Sequence, residues 1–220
     1  MTTILDKYKI FYAAVPKAAC TTLKHFFFEV ENGFPFQQYS INGRTYDIYN
    51  NEAWIRRFKD LPRHRLADYF RAAVIRDPLE RFLSGYGDIV VRHRWLSIEK
   101  AGHLLAPFKL PPDPDLETFI DLLEGYQRAS SHVFHHTRPV VDFLGRDAEY
   151  YTKLYRMDEL GQFAADIEAI VGKEVPAIEQ RNKSGSTLTP DDLTPKHRQK
   201  LLHILAQDYA TFGGVLEGRG

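Results

Sequence analysis

The stretch IFYAAVPKAACTTLKHFFFEV, residues 10–30, decides the fold. Its first part, Ile10–Val15, is a short apolar run stopped by Pro16, and this predicts a buried strand. Its second part places Leu23, Phe26, Phe27 and Val30 at i, i+3, i+4 and i+7, the spacing of one helical face. Thr21 or Thr22 is the expected helix cap, and Asn32-Gly33 the expected stop. A strand, a tight turn and a helix in this order bring unpaired N–H groups and a partial positive charge to the turn.

That turn reads Val15-Pro16-Lys17-Ala18-Ala19-Cys20-Thr21-Thr22. Ala18 and Ala19 are small enough for an anion to approach the backbone. Lys17 adds a full charge, and Thr21 and Thr22 add hydroxyl donors. A plain strand-to-helix turn with one surface lysine has the same short pattern. The Gly-x-x-x-x-Gly-Lys pattern of ATP and GTP loops is missing, and the lysine stands early in the turn.

A second unit of the same kind follows. Tyr69–Ile75 is an apolar strand, Asp77-Pro78 opens a helix, and Leu79, Phe82, Leu83 and Tyr86 share one face. Arg76 leaves the strand at its C-terminal end, and Ser84 lies about two turns along the helix. A guanidinium and a hydroxyl so placed suit one phosphate. Arg81 is expected either to support them or to pair with Asp77 or Glu80. Taken alone, the segment is equally a capped helix with a surface ion pair.

The remaining chain continues the alternation. A helix is expected at Ala53–Phe58, an irregular segment at Gly33–Tyr49, and a helix at Leu116–Leu123 capped by Asp115. Lys153–Met157 reads as a third strand, with a helix from Asp158-Glu159 to Val171. Gln180–Thr187 reads as a polar loop. Thr194 is expected to cap one final helix with Leu202, Leu205 and Tyr209 on one side. This is an α/β pattern: a central, mainly parallel sheet flanked by helices, in one domain over 1–220. Parallel strands joined by right-handed crossovers put both turns on one sheet edge.

Composition narrows the class. Lys plus Arg and Asp plus Glu are both 29, so no nucleic-acid partner is expected. One cysteine, Cys20, allows no intrachain disulfide. No apolar run approaches the length of a membrane span, and Met1–Ile10 does not read as a signal peptide. These features predict a soluble cytoplasmic protein.

The pair VPKAACTTLK and IRDPLERFLSGY resembles the carbohydrate-type sulfotransferases, family 2. His136-Thr137-Arg138-Pro139, Leu154–Leu160, Asn182-Lys183-Ser184 and Gln207–Gly213 extend the resemblance along the chain. It implies a three-layer, P-loop-like fold, and 3′-phosphoadenosine 5′-phosphosulfate (PAPS) as donor. Residues 15–22 would then be the phosphosulfate loop: Pro16, Lys17, Ala18, Ala19, Cys20, Thr21 and Thr22. Residues 76–86 would be the 3′-phosphate clamp, through Arg76 and Ser84, and about 87–140 an acceptor-side insert. Lys183 and Ser184 would close over the nucleotide, whose product is 3′,5′-diphosphoadenosine.

Under this resemblance the acceptor is a hydroxyl, carbohydrate by class, and Lys17 is catalytic. A base is also needed, and histidine is the default. His136 fits the motif, and His64, upstream of the second strand, is its rival. No metal is expected, since no carboxylate or cysteine near His132, His135 and His136 completes a usual ligand set. Many animal members carry a membrane anchor and cysteine pairs. This chain departs from them, so its acceptor need not be theirs. An ATP- and magnesium-dependent kinase or hydrolase, and a non-catalytic nucleotide-binding module, are the alternatives.

Overall fold

The computed structural model describes residues 2–49, 61–178 and 188–218. The helix expected at Ala53–Phe58, the loop Gln180–Thr187 and the candidate residues Lys183 and Ser184 lie outside the described residues. In chain order the elements are β1 (Thr2–Leu5), β2 (Ile10–Ala13), α1 (Cys20–Asn32), β3 (Tyr39–Ile41), β4 (Arg44–Tyr46), β5 (Phe70–Ile75) and α2 (Pro78–Tyr86). A π-helical segment follows at Gly87–Arg92. Then come α3 (Ile98–Leu105), α4 (Leu116–Asp121), α5 (Leu123–Ala129), α6 (Ser131–Thr137), α7 (Val141–Leu144), β6 (Lys153–Arg156), α8 (Leu160–Val171), α9 (Pro195–Ile204) and α10 (Ala206–Leu216).

The chain divides into two compact units. The first comprises Met1–Arg76, Val140–Asn182 and Thr211–Gly220. Its four-stranded sheet has the order β1-β2-β5-β6. β2 runs parallel to β5, and β5 parallel to β6. β1, which composition and pattern did not suggest, adds an antiparallel edge with Thr2 opposite Ala13.

Strand β2 is buried on both faces, which is why it reads as an unbroken apolar run rather than an alternating one. Ile10, Tyr12 and Ala14 pack in one core cluster with Leu23, Phe26 and Phe27 of α1 and Phe163 and Ile167 of α8. Phe11, Ala13 and Val15 enter another with Val141 and Leu144 of α7 and Phe212 of α10. Helices therefore cover the sheet on both faces. Phe163 sits edge-on to Tyr12, Phe27 and Tyr155, with ring centroids 5.8, 5.8 and 5.1 Å away, an arrangement favoured by the ring quadrupoles.

Residues 33–49 are not wholly irregular. β3 and β4 form a hairpin, with Tyr39 opposite Tyr46. Asn42 and Gly43 both take positive φ, 50° and 74°, as a two-residue hairpin turn requires. The Asn-Gly turn signal was present in the sequence; the strands beside it are too short and too polar to announce themselves.

The second unit comprises Asp77–Pro139 and Lys183–Ala210. Its core joins Phe82, Leu83 and Tyr86 of α2 with Phe119, Tyr126, Val133, Leu201 and Leu205. Asp115 caps α4 by accepting from the Thr118 N–H at 2.8 Å, as expected. The helix expected at Leu116–Leu123 breaks at Leu122, which has φ −108° and ψ 19°. Thr194 caps α9 as predicted, but the single terminal helix is two, interrupted at Leu205. Of the expected face, Leu205 is fully buried and Tyr209 packs against the core, but Leu202 is 39% exposed and Leu201 is buried instead.

Candidate functional site

The turn between β2 and α1 takes a shape that costs energy. Lys17 has φ 67° and Ala19 φ 55°, both left-handed. For a residue with a Cβ this conformation costs about 1–2 kcal/mol. Such strain concentrates where backbone geometry serves a ligand. Ala19, not Thr21 or Thr22, is the residue that caps α1, and it supplies no side-chain hydrogen bond. The helix begins earlier than expected because the left-handed Ala19 turns the chain directly into Cys20.

Individual residues of this turn have distinct placements. Pro16, Ala18 and Thr22 are buried, and Lys17, Ala19, Cys20 and Thr21 are half-buried. The Ala18 methyl packs in the core with Val15. Its N–H donates to the Val15 carbonyl at 3.2 Å. Ala18 therefore shapes the turn from beneath. The Thr21 and Tyr49 hydroxyls are hydrogen-bonded.

Strand register places the second turn. Ala13 of β2 lies opposite Ala73 of the parallel β5. Lys17 and Arg76 thus both follow the C-terminal ends of neighbouring strands, on the same edge of one sheet. Strands so paired are about 4.8 Å apart. The expectation that both turns share one rim holds for these two residues.

His64 lies upstream of the second strand. It precedes β5, whose first residue Phe70 lies opposite Ile10, the first residue of β2. The turn around it is tied to the opposite edge. The Arg65 guanidinium meets Asp6 at 2.5 Å, and the Tyr69 hydroxyl donates to Asp6 at 2.6 Å. Leu61 and Leu66, on either side of His64, enter the core cluster that also holds Val15 and Ala18.

In the second unit, α2 starts as its sequence predicts. Asp77 accepts from the Glu80 N–H at 3.0 Å and Pro78 occupies the first turn. Asp77 also accepts from the Tyr209 hydroxyl at 3.0 Å, joining the Asp-Pro turn to the C-terminal Asp-Tyr segment. Burial, and then the neighbouring Asp77 carboxylate, raise the Tyr209 phenol well above its ordinary value. Ser84 is buried on this helix.

Arg81, expected either to support the site or to pair with Asp77 or Glu80, reaches the end of α6. Its side chain is completely buried. It donates to the backbone carbonyls of His136, at 3.4 Å, and Arg138. Both acceptors lie at the C-terminal end of α6, where helix carbonyls lack intrahelical partners. Gly85 has a related role that sequence reading passed over. A Cβ there would stand 3.0 Å from the His136 carbonyl oxygen. A glycine inside an otherwise regular helix pattern was the available signal for this close approach.

His136 is half-buried, and its ring lies 5.1 Å from His135, perpendicular to it, and 6.3 Å from Trp95, inclined at 66°. Trp95 also stacks on His93 and packs against His132, with centroids 5.1 and 4.4 Å away. The π-helical segment preceding Trp95 carries Asp88, which pairs with Arg92 at 2.5 Å. Segments of this kind occur often at functional sites. Among the described residues, no three His, Cys, Asp or Glu side chains gather as metal ligands. No described helix is long and apolar enough to cross a membrane.

None of the curated proteins, and none of the solved structures, matches the chain significantly. A profile of the sulfotransferase family matches residues 1–213. The match takes in β2 and its strained turn, β5 with Arg76, and the α2–α6 pair. It extends through nearly all of the 220 residues, and the chain belongs to sulfotransferase family 2.

Proposed function

We propose that the chain transfers the sulfuryl group of PAPS to a hydroxyl acceptor of the carbohydrate class, on a P-loop-like fold. The observation that carries this reading is the left-handed turn at Lys17 and Ala19, which opens α1 on the sheet edge that also carries Arg76. Alternating left- and right-handed backbone makes N–H groups converge into an anion cradle. The helix that follows adds its own N–H groups and dipole.

In this reading the N–H groups from Ala19 to Thr22, with the Thr21 and Thr22 hydroxyls, hold the 5′-phosphate. Lys17 neutralises charge as it develops on the oxygen between phosphate and sulfuryl group. Arg76 and Ser84 hold the 3′-phosphate, and Lys183 and Ser184 close over the nucleotide. His136 takes the acceptor proton. Its backbone is fixed by Arg81 and Gly85, which suits a base that must keep its position. The donor supplies a leaving group that is already a stable anion, so the protein contributes mainly positioning and electrostatic stabilisation.

Calorimetric titration tests the donor. Binding of 3′,5′-diphosphoadenosine without magnesium, followed by transfer of label from PAPS to a saccharide, is the expected result. Preference for ATP with magnesium would replace this reading by a kinase or hydrolase. Binding without transfer to any hydroxyl would leave a nucleotide-binding module.

A further inference from the structure

The loop that carries Trp95 is fixed from both sides. Ahead of it, the π-helical segment Gly87–Arg92 makes a wide turn, closed by the His93 N–H on the Asp88 carbonyl at 3.0 Å. Arg94 then takes φ 47°, a left-handed conformation that costs about 1–2 kcal/mol for a residue with a Cβ. Three ties hold the loop in that shape. The Trp95 N–H donates to the Ile89 carbonyl at 2.9 Å, the Lys100 ammonium to the His93 carbonyl at 2.6 Å, and the Arg94 guanidinium pairs with Asp113 at 2.9 Å. A π-helical turn and a left-handed residue in succession are devices that recur where a side chain must be aimed at a ligand. Here the side chain is an indole.

The indole lies against α6. His132 and His136 are four residues apart, so they share a helix face and stand about 6 Å apart along its axis. The Trp95 ring meets both, with centroids 4.4 Å from His132 and 6.3 Å from His136. His93 stacks on the indole at 5.1 Å, and the Arg92 guanidinium donates to its Nε2 at 2.8 Å. His132 is exposed and Trp95 half-buried, so a solute can reach them.

We propose that Trp95 and His132 form the subsite that orients one ring of a saccharide acceptor against His136. The inference rests on the reading of His136 as the base for a carbohydrate hydroxyl. A pyranose has an apolar face of C–H groups and a rim of hydroxyls. The indole offers a broad, rigid apolar surface whose π-cloud attracts polarised C–H groups. The His132 imidazole, one helical turn from the base, exchanges a hydrogen bond with a second hydroxyl. With one hydroxyl on His136 and another on His132, the sugar lies across Trp95 in a single orientation. That orientation selects the hydroxyl presented to the sulfuryl group. Trp95 and His132 are positioning residues; the proton goes to His136.

Three probes stand for the acceptor: chitotriose, a maltodextrin and desulfated chondroitin fragments. The one that best takes label from PAPS is carried forward. The chain has two tryptophans, so Trp54→Phe leaves Trp95 as its single indole. Saturating that variant with the saccharide should quench or shift the indole fluorescence. Trp95→Leu should raise the saccharide KM about tenfold or more, with kcat within about threefold. Trp95→Phe, which keeps an aromatic face, should recover part of the loss. His132→Ala should spread the label over more than one hydroxyl, read by mass spectrometry of the product. An unchanged KM in Trp95→Leu overturns the inference, as does an equal loss of 3′,5′-diphosphoadenosine affinity, which would mark a folding role. Fluorescence indifferent to saturating saccharide overturns it too, and this arm stands even if Trp95→Leu does not fold. A wild-type protein that labels none of the three saccharides overturns the carbohydrate reading, and this inference with it.

Discussion

The Cβ that Gly85 lacks would lie 3.0 Å from the carbonyl oxygen of His136. Helix α2 and the C-terminal turn of α6 therefore touch backbone to side-chain position, with no layer between them. Gly85→Ala gains about 1 kcal/mol of helix propensity, which offsets much of the cost of pushing the carbonyl back by a few tenths of an ångström. The expected outcome is a melting temperature near wild type. Sulfuryl transfer should fall about 10- to 100-fold, since small displacements of a catalytic group are costly. Rates with labelled donor, measured beside a thermal melt, check both halves.

Arg81 holds the same turn from within. Arg81→Met removes the donor to the His136 and Arg138 carbonyls and leaves them buried. The expected cost is about 2–4 kcal/mol, read as a lower urea midpoint. Arg81→Lys should restore little, because one ammonium does not reproduce the planar fork of a guanidinium.

Ala19 invites the opposite result. At φ 55° it carries strain that glycine would not. Ala19→Gly releases about 1–2 kcal/mol of strain and loses about 0.5–1 kcal/mol to the freer unfolded chain. A small net stabilisation is expected, with nucleotide affinity retained. A fall in the urea midpoint would show that the left-handed turn is not the ground state.

On the proposed assignment, variants of Lys17 and His136 should separate binding from chemistry. Lys17→Ala should abolish transfer. His136→Ala should cut transfer by about 10²- to 10⁴-fold, the usual range for losing a general base, while the affinity for 3′,5′-diphosphoadenosine stays unchanged. Parallel loss of affinity and transfer in the histidine variant would mark a folding role.

Asp121 should add a small acid sensitivity to the second unit. Hydrogen bonds from Lys196 and then Lys200 are the largest influences on its carboxyl, and its pKa falls from 3.8 to about 2. A carboxylate more acidic folded than unfolded stabilises above the unfolded value, and that contribution disappears as pH falls toward 2. The group is exposed, so the effect should be small and weakened by salt. Urea midpoints of Asp121→Asn and wild type should differ at pH 6 and converge near pH 2.

Much of the sheet and its edge could be read from residues 10–30 and 69–86, because a strand buried on both faces is an unbroken apolar run and a helix face repeats at 3.6. β1 escaped because Thr2 and Thr3 carry no such run. The break at Leu205 and the burial of Leu201 in place of Leu202 escaped because tertiary packing, not local pattern, selects the face. Arg81 could be seen as a charge but not as a buried one. The burial of Lys24 on α1 carried no signal at all, since a lysine on a helix is ordinarily a solvated residue. His64 could be seen to lie upstream of the second strand, but strand register, invisible in one sequence, decides which rim a segment reaches.

The two units are interleaved along the chain, and this bears on how the protein acquires its structure during synthesis. Ile10 waits for Phe70, and Ala72 waits for Lys153. The α2 core waits for Leu201 and Leu205, and Phe11 for Phe212. Neither unit can complete its apolar interior until the last helices leave the ribosome. Such long-range pairing slows folding and leaves sticky surface uncovered meanwhile. A nascent chain stalled before α9 should therefore depend on chaperones, which comparing a ribosome-bound chain ending at 190 with the released 220-residue chain would reveal.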